Sequence, residues 1–185
     1  YGLQQRLPTQ RAEAMAEAKR LWFVGTETPD SCDPLFDALV EKGALNERDI
    51  WSRFELAADA GNFALAQRIN AKLMPQHQIP PKDLERANRD PERVLSKNEF
   101  KGATVAGREL ALYALQRAVA RSSRGSLEAV ADAWRRARRQ LPPGIAHRGN
   151  GIIAYALARR LGPDALAWYR EAGSASLSDI QLAWK

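Results

Sequence analysis

A chain of 185 residues and 20.6 kDa with 45% hydrophobic residues can fill one ordinary core, and no stretch approaches the ~20 apolar residues of a membrane span. The formal charge of +6 is uneven: residues 1–92 hold 12 Lys and Arg against 15 Asp and Glu, whereas residues 93–185 hold 16 against 7. Such a basic half favours polyanions through its field, yet no groove-reading motif accompanies it, so nucleic acid is not the expected partner.

Helix signals then recur along the chain with short punctuation, and no sustained alternating run of Val, Ile, Thr and aromatics marks a strand. The start, YGLQQRLPTQ, lacks the apolar run of a signal peptide. TQRAEAMAEAKRLWFVG reads as a helix capped by Thr9, with Met15, Ala18 and Trp22 on one stripe. Asp33 and Pro34 open the next, which carries Leu35, Phe36, Leu39 and Val40 and stops at Gly43. Asn46 caps ERDIWSRFELAADA, whose inner stripe is Ile50, Phe54 and Ala57 with Trp51 beside it. Gly61 supplies a left-handed stop. Asn62 caps FALAQRINAKLM, which ends at Pro75.

Residues 74–81, containing PQHQIPP, form an irregular elbow. PKDLERANR and DPERVLSK are two short helices, the second opened by Asp90 before Pro91. TVAGRELALYALQRAVARS is a longer helix. Ser126 opens LEAVADAWRRARRQL, and the PPG at 142–144 closes it. IAHRGNGIIAYALARRLG and PDALAWYREAG form a pair around Gly162 and Pro163. Ser178 opens a last helix in SDIQLAWK. About ten helices of 8–18 residues joined by short loops predict an all-α fold of stacked antiparallel hairpins, curving into a superhelix or solenoid segment. The start at Tyr1 and the last helix at the chain end read as an excised segment: one partial scaffold domain over 1–185, with the elbow inside it.

The search for chemistry is short. Cys32 leaves three readings open: a nucleophile, a small buried filler, or half of a disulfide. Catalysis by its thiol needs a base, and the two histidines, His77 and His147, are far away in sequence. Asp30 and Asp33 beside it oppose a thiolate. One cysteine and two isolated histidines give no metal-ligand spacing, so no metal site is expected. RGNGI at 148–152 contains GxG but follows no strand and reads as a loop or helix break, with no cofactor motif. WRRARRQL at 134–141 is the densest basic cluster, and Arg135, Arg136, Arg138 and Arg139 are the candidate contacts for a polyanion; the alternative is a solvated helix end. The tryptophans Trp22, Trp51, Trp134, Trp168 and Trp184 sit at helical spacing and are expected in the core. No convergent acid, base and nucleophile set appears, so no catalytic residue is named.

One segment carries a resemblance. Residues 16–69, AEAKRLWFVGTETPDSCDPLFDALVEKGALNERDIWSRFELAADAGNFALAQRI, resemble the α-superhelical region of the soluble lytic murein transglycosylases. The matching features are Ala18-Lys19, Leu21-Trp22, Gly25, Pro29, Cys32-Asp33, Leu35-Phe36, Leu56-Ala57 and Ala60-Gly61-Asn62. VLSKNEF, LAWYREAG and SDIQLAWK continue the pattern more weakly. The resemblance implies a periplasmic enzyme that cleaves the bond between N-acetylmuramic acid and N-acetylglucosamine in peptidoglycan, leaving a 1,6-anhydromuramoyl end without a cofactor. In that family one glutamate acts as acid and then base, in a Glu-Ser motif followed by Gly-Leu-Met-Gln within a lysozyme-like domain. This chain has no Glu-Ser dipeptide, and GLQQ at 2–5 lacks the context. The implied role is therefore a non-catalytic scaffold whose partners are peptidoglycan, the enzyme's own catalytic domain and cell-wall synthesis proteins. The resemblance also implies that Cys32 pairs with a cysteine upstream of the segment matching Tyr1. The alternative function is a helical-repeat module for protein partners without a glycan role.

Overall fold

A computed structural model describes residues 11–123 and 125–185, and among them there are helices and turns but no strand. The fold is all-α, built of helical hairpins, and divides into two compact units, one running to Gln78 and the other from Ile79 to Lys185. Thr9, the expected first cap, lies outside the described residues.

In the first unit, α1 spans Arg11–Trp22, α2 Asp33–Glu41, α3 Glu47–Asp59 and α4 Phe63–Asn70, with short 3-10 turns at Asp30–Cys32 and Pro75–His77. Their ends follow the sequence punctuation. Pro34 stands in the first turn of α2. Asn46 and Asp49 form a reciprocal capping box at α3, and the Asn62 side chain accepts from the Leu65 N–H at α4. Gly43 and Gly61 take φ of +68° and +70°, the left-handed conformation a hairpin turn requires and a β-carbon opposes. α3 and α4 pack as a hairpin, and α1 packs on α2.

Trp22 anchors this unit. Its indole meets the Phe36 ring edge-on at 5.2 Å and donates its N–H to the Asp49 carbonyl at 2.8 Å. Lys19, one turn earlier on α1, reaches the Asp49 carboxylate at 2.9 Å. Burial works to raise the Asp49 pKa. The hydrogen bond from Lys19, then that from the Asn46 N–H, and the Lys19 charge outweigh it and hold the group below its ordinary 3.8.

In the second unit, α5 spans Pro81–Arg89, α6 Pro91–Ser96, α7 Val105–Arg121, α8 Leu127–Ala137, α9 Pro143–Arg159, α10 Ala165–Ala172 and α11 Asp179–Ala183. α7 is the axle, packing against α5, α6, α8 and α9. Leu110 through Leu115 and Ala118 are all buried, so α7 is apolar nearly all round, as a helix must be when surrounded by others. Thr104 caps it by accepting from the Gly107 N–H, and Asp90 and Ser178 cap α6 and α11. Ser126 departs from the expected role: it stands before α8, but its hydroxyl accepts from the Ser123 N–H instead of capping the helix.

RGNGI is also not a loop or break. It lies inside α9, and that helix begins at Pro143, so PPG ends one helix and opens the next. The physical reason is packing. A β-carbon on Gly149 would stand 1.9 Å from Cζ2 of Trp134, so the bare backbone is the surface on which that buried indole lies. Four of the five tryptophans are core as expected. Trp184 is 49% exposed and meets the Tyr155 ring edge-on at 6.0 Å.

Two predictions follow from these contacts. Gly149→Ala should lower unfolding stability by about 3 kcal/mol through overpacking, although alanine favours helix. Gly144→Ala, in the first turn of the same helix with open space around its added carbon, should be neutral or stabilising by up to about 1 kcal/mol in the same thermal melts. Because the folded pKa of Asp49 is depressed, its contribution is present above the ordinary carboxylate range and is lost as pH falls through the folded value. Asp49→Asn should flatten that part of the acid limb in a stability-versus-pH series.

Candidate functional site

The basic cluster, on the end of α8 and the 3-10 turn Arg138–Gln140 that follows it, is divided by the structure. Arg135 and Arg138, three residues apart, share one face and both lie over the Trp168 ring of α10, at 4.7 Å and 5.4 Å from its centroid. Arg135 also pairs with Asp132 at 2.6 Å. Arg138 donates to the Asn150 side-chain oxygen at 2.9 Å and pairs with Glu171. Arg136 and Arg139 are exposed and have no hydrogen-bond or ion-pair partner among the described residues. One pair of arginines is committed to holding α8, α9 and α10 together. The other pair is displayed.

Behind the cluster lies a buried polar junction. Trp134 donates its N–H to the Asn150 oxygen at 3.0 Å, and the Asn150 amide donates to the Glu171 carbonyl at 3.3 Å. Asn150 is 2% exposed, so each of these bonds replaces water that cannot reach it. Sequence reasoning missed Asn150 because it was read as part of a break. The spacing of Trp134, Arg138 and Asn150 becomes informative only once 148–152 is helical.

The first unit holds a second buried cation. Arg53 on α3 is 1% exposed, with its guanidinium 4.6 Å from the Trp22 ring centroid and 4.8 Å from that of Phe36. It donates to the Thr28 hydroxyl at 3.1 Å, and its Nε has no hydrogen-bond partner among the described residues. Burial pulls the guanidinium below its ordinary pKa, with Asp33 opposing that shift most strongly. The sequence did contain the signal: position 53 lies on the Ile50, Phe54, Ala57 stripe.

Cys32 is half-buried and free at the entrance to α2. His77 pairs with Glu47 at 2.7 Å, His147 is exposed, and among the described residues neither contacts a thiol or hydroxyl. Glu109, buried on α7, is held by Arg148 at 3.3 Å, a structural ion pair. Among the described residues no three His, Cys, Asp or Glu side chains gather as a metal site, and no helix is long and apolar enough to cross a membrane. The arrangement thus offers cationic surface over a buried aromatic layer, and among the described residues no nucleophile is seated on a base.

Comparison with known proteins gives a direction. No protein-family model matches the chain. Over 105 residues, 57% of this chain, it is 30% identical to the soluble lytic murein transglycosylase of Escherichia coli K12, and the match covers 16% of that protein. The Salmonella typhimurium protein of the same name is 29% identical over 102 residues, covering 55% of this chain and 16% of its own. The solved structure of the lytic transglycosylase Slt from Pseudomonas aeruginosa, an inactive mutant, matches 98% of this chain with TM-score 0.70 and 25% identity, over 29% of its own length. The 70-kDa soluble lytic transglycosylase of Escherichia coli matches 98% with TM-score 0.60 and 23% identity, over 27% of its length. The chain is thus distantly related to these enzymes and spans less than a third of them.

The division of the arginines has a direct check. Arg138→Ala should cost about 1–3 kcal/mol of unfolding stability, because a charge-assisted bond to a nearly buried network is lost. Arg139→Ala should leave it within about 0.5 kcal/mol, as for an unpartnered surface residue. Urea unfolding of the two variants side by side distinguishes them.

Proposed function

We propose that this chain is a helical scaffold segment of a periplasmic lytic transglycosylase, an enzyme that cleaves peptidoglycan between N-acetylmuramic acid and N-acetylglucosamine to leave 1,6-anhydromuropeptides. The observation that carries this reading is the agreement of sequence and structure: the lytic transglycosylase relatives found by identity over 105 residues are of the same kind as those whose fold matches 98% of the chain. Two further features support a role without chemistry in this segment. The Glu-Ser pair of the family is missing from the sequence, and the buried carboxylate Glu109 is held in an ion pair. In this reading the helical hairpins belong to the part of the whole enzyme that carries its catalytic domain. Cys32 is half of a disulfide whose partner lies outside this chain.

The scaffold's contact with peptidoglycan runs through its basic second half. Stem-peptide carboxylates are the anionic groups of that polymer, and Arg136 and Arg139 are free to meet them. Arg135 and Arg138 shape the same helix end and add their charge, but their donors are largely engaged within the fold. Exposed charges act through a field that salt screens over roughly 10 Å at 0.1 M, so binding of this kind weakens as salt rises.

Co-sedimentation with purified sacculi tests the reading. The 185-residue chain should bind, and Arg136→Ala with Arg139→Ala should reduce the bound fraction several-fold, with the larger loss at low salt. Mass spectrometry of the same incubation should show no anhydromuropeptides. Binding unaffected by the double variant would remove the arginines from the contact, and anhydro products would place an acid/base glutamate among these helices.

A further inference from the structure

A cavity of about 360 Å³ opens in the second unit, between α8, the end of α9 and the turn into α10. We propose that it receives a segment of a partner protein in which a large apolar side chain is flanked by Lys or Arg. The volume is in the range of specific ligand pockets and suits one such side chain with part of its neighbour.

The lining sets the chemistry of the occupant. Leu127, Ala131 and Leu157 give it an apolar floor, and Leu161 stands at the rim 86% exposed, an apolar side chain left in water. The polar lining is rich in acceptors and poor in free donors. The carboxylates of Glu128 and Asp164 have no hydrogen-bond or ion-pair partner among the described residues. Asp132 is engaged by Arg135. The other lining cation, Arg160, spends its donors on the carbonyls of Val119, Ser122 and Ser123 and the Ser122 hydroxyl, at 2.9–3.3 Å. Three carboxylates against two guanidiniums leave the lining net negative, and both guanidiniums already donate within the fold. A wholly apolar group would strip water from two unpaired charges. An apolar side chain beside a cation satisfies both surfaces.

The distribution of charge makes the same point. Residues 93–185 contain 7 Asp and Glu, and three of them, Glu128, Asp132 and Asp164, line this one cavity. Favourable placement at helix N-termini accounts for Glu128 in the first turn of α8 and Asp164 before α10, each on its own helix. It does not account for their convergence across an apolar floor. An acidic window in a basic unit steers a cationic segment to one place and disfavours binding elsewhere on that unit.

The test is a protein-observed NMR titration of the 185-residue chain with acetyl-Lys-Leu-Lys-amide, against acetyl-Glu-Leu-Glu-amide and acetyl-Lys-Gly-Lys-amide. Backbone amides of 127–132 and 161–168 should shift saturably with the first peptide only. Glu128→Gln with Asp164→Asn should weaken that binding at least fivefold, and Leu161→Ala, which removes only the rim, about two- to threefold. Each variant must retain the dispersed spectrum of the parent chain. The proposal is overturned by no saturable shift at those amides, an equal response to the acidic peptide, or unchanged affinity in the folded double-charge variant. Shifts that follow chain concentration without peptide would overturn it in favour of self-association.

Discussion

The second unit turns on one contact, the indole of Trp134 lying on the bare backbone of Gly149 and bonded to the side chain of Asn150. A buried indole contributes a large apolar surface but brings an N–H that must be satisfied. The acceptor comes from a residue adjacent to the glycine, so close approach and hydrogen bonding are solved by two consecutive positions of α9. The same Asn150 oxygen takes a bond from Arg138, and its amide reaches the Glu171 carbonyl on α10. Three helices therefore meet in one network. With its groups satisfied, such a network fixes a single register between helices, because sliding any of them strands a buried polar group.

The first unit reaches the same end by a different route. Its core aromatics, Trp22 and Phe36, carry a guanidinium packed against both rings rather than another hydrocarbon. Arg53 gains cation–π attraction there, and its planar, weakly hydrated head is better suited to such a slot than an ammonium. The cost is an Nε without a hydrogen-bond partner among the described residues. Asp49 closes the other side of Trp22, accepting its N–H by the main chain and Lys19 by the side chain. Both units thus use tryptophan as the anchor and a polar partner as the register pin.

Much of this architecture was legible in the sequence because helix ends obey local rules. Asn46, Asn62, Asp90 and Ser178 each cap the helix they precede, and Gly43 and Gly61 stop the ones they follow. These effects act within four residues, so a sequence carries them openly. Gly149 and Asn150 were misread because glycine is a local breaker but here serves a distant indole, and only tertiary packing reveals that use. Arg53 sits on an apolar stripe, yet whether its head turns to water or against two rings depends on helices far along the chain. Among the arginines at the end of α8 and in the turn after it, composition identified a basic cluster. Whether each charge is spent inward or shown outward was decided by the position of Trp168 and Glu171 on another helix.

That distinction bears on what a net charge of +9 over residues 93–185 means. Several arginines there bind backbone carbonyls: Arg108 those of Gly102 and Ala103, Arg121 that of Arg89, and Arg160 three at the end of α7. A carbonyl satisfies the donors and fixes the side chain without cancelling its charge, whereas a carboxylate does both. Arg121 and Arg160 are therefore used as clamps on helix C-termini, in keeping with the dipole there, while Arg108 pins the loop that leads into α7. The positive field survives as a by-product of the folding chemistry. A scaffold built this way is electropositive before any ligand is selected, and the few carboxylates it retains acquire local meaning by contrast. The exposed pair Arg136 and Arg139 and the cavity beneath Leu161, where three carboxylates face two guanidiniums, are then two outcomes of one arrangement, a general field for anions and a local exception to it.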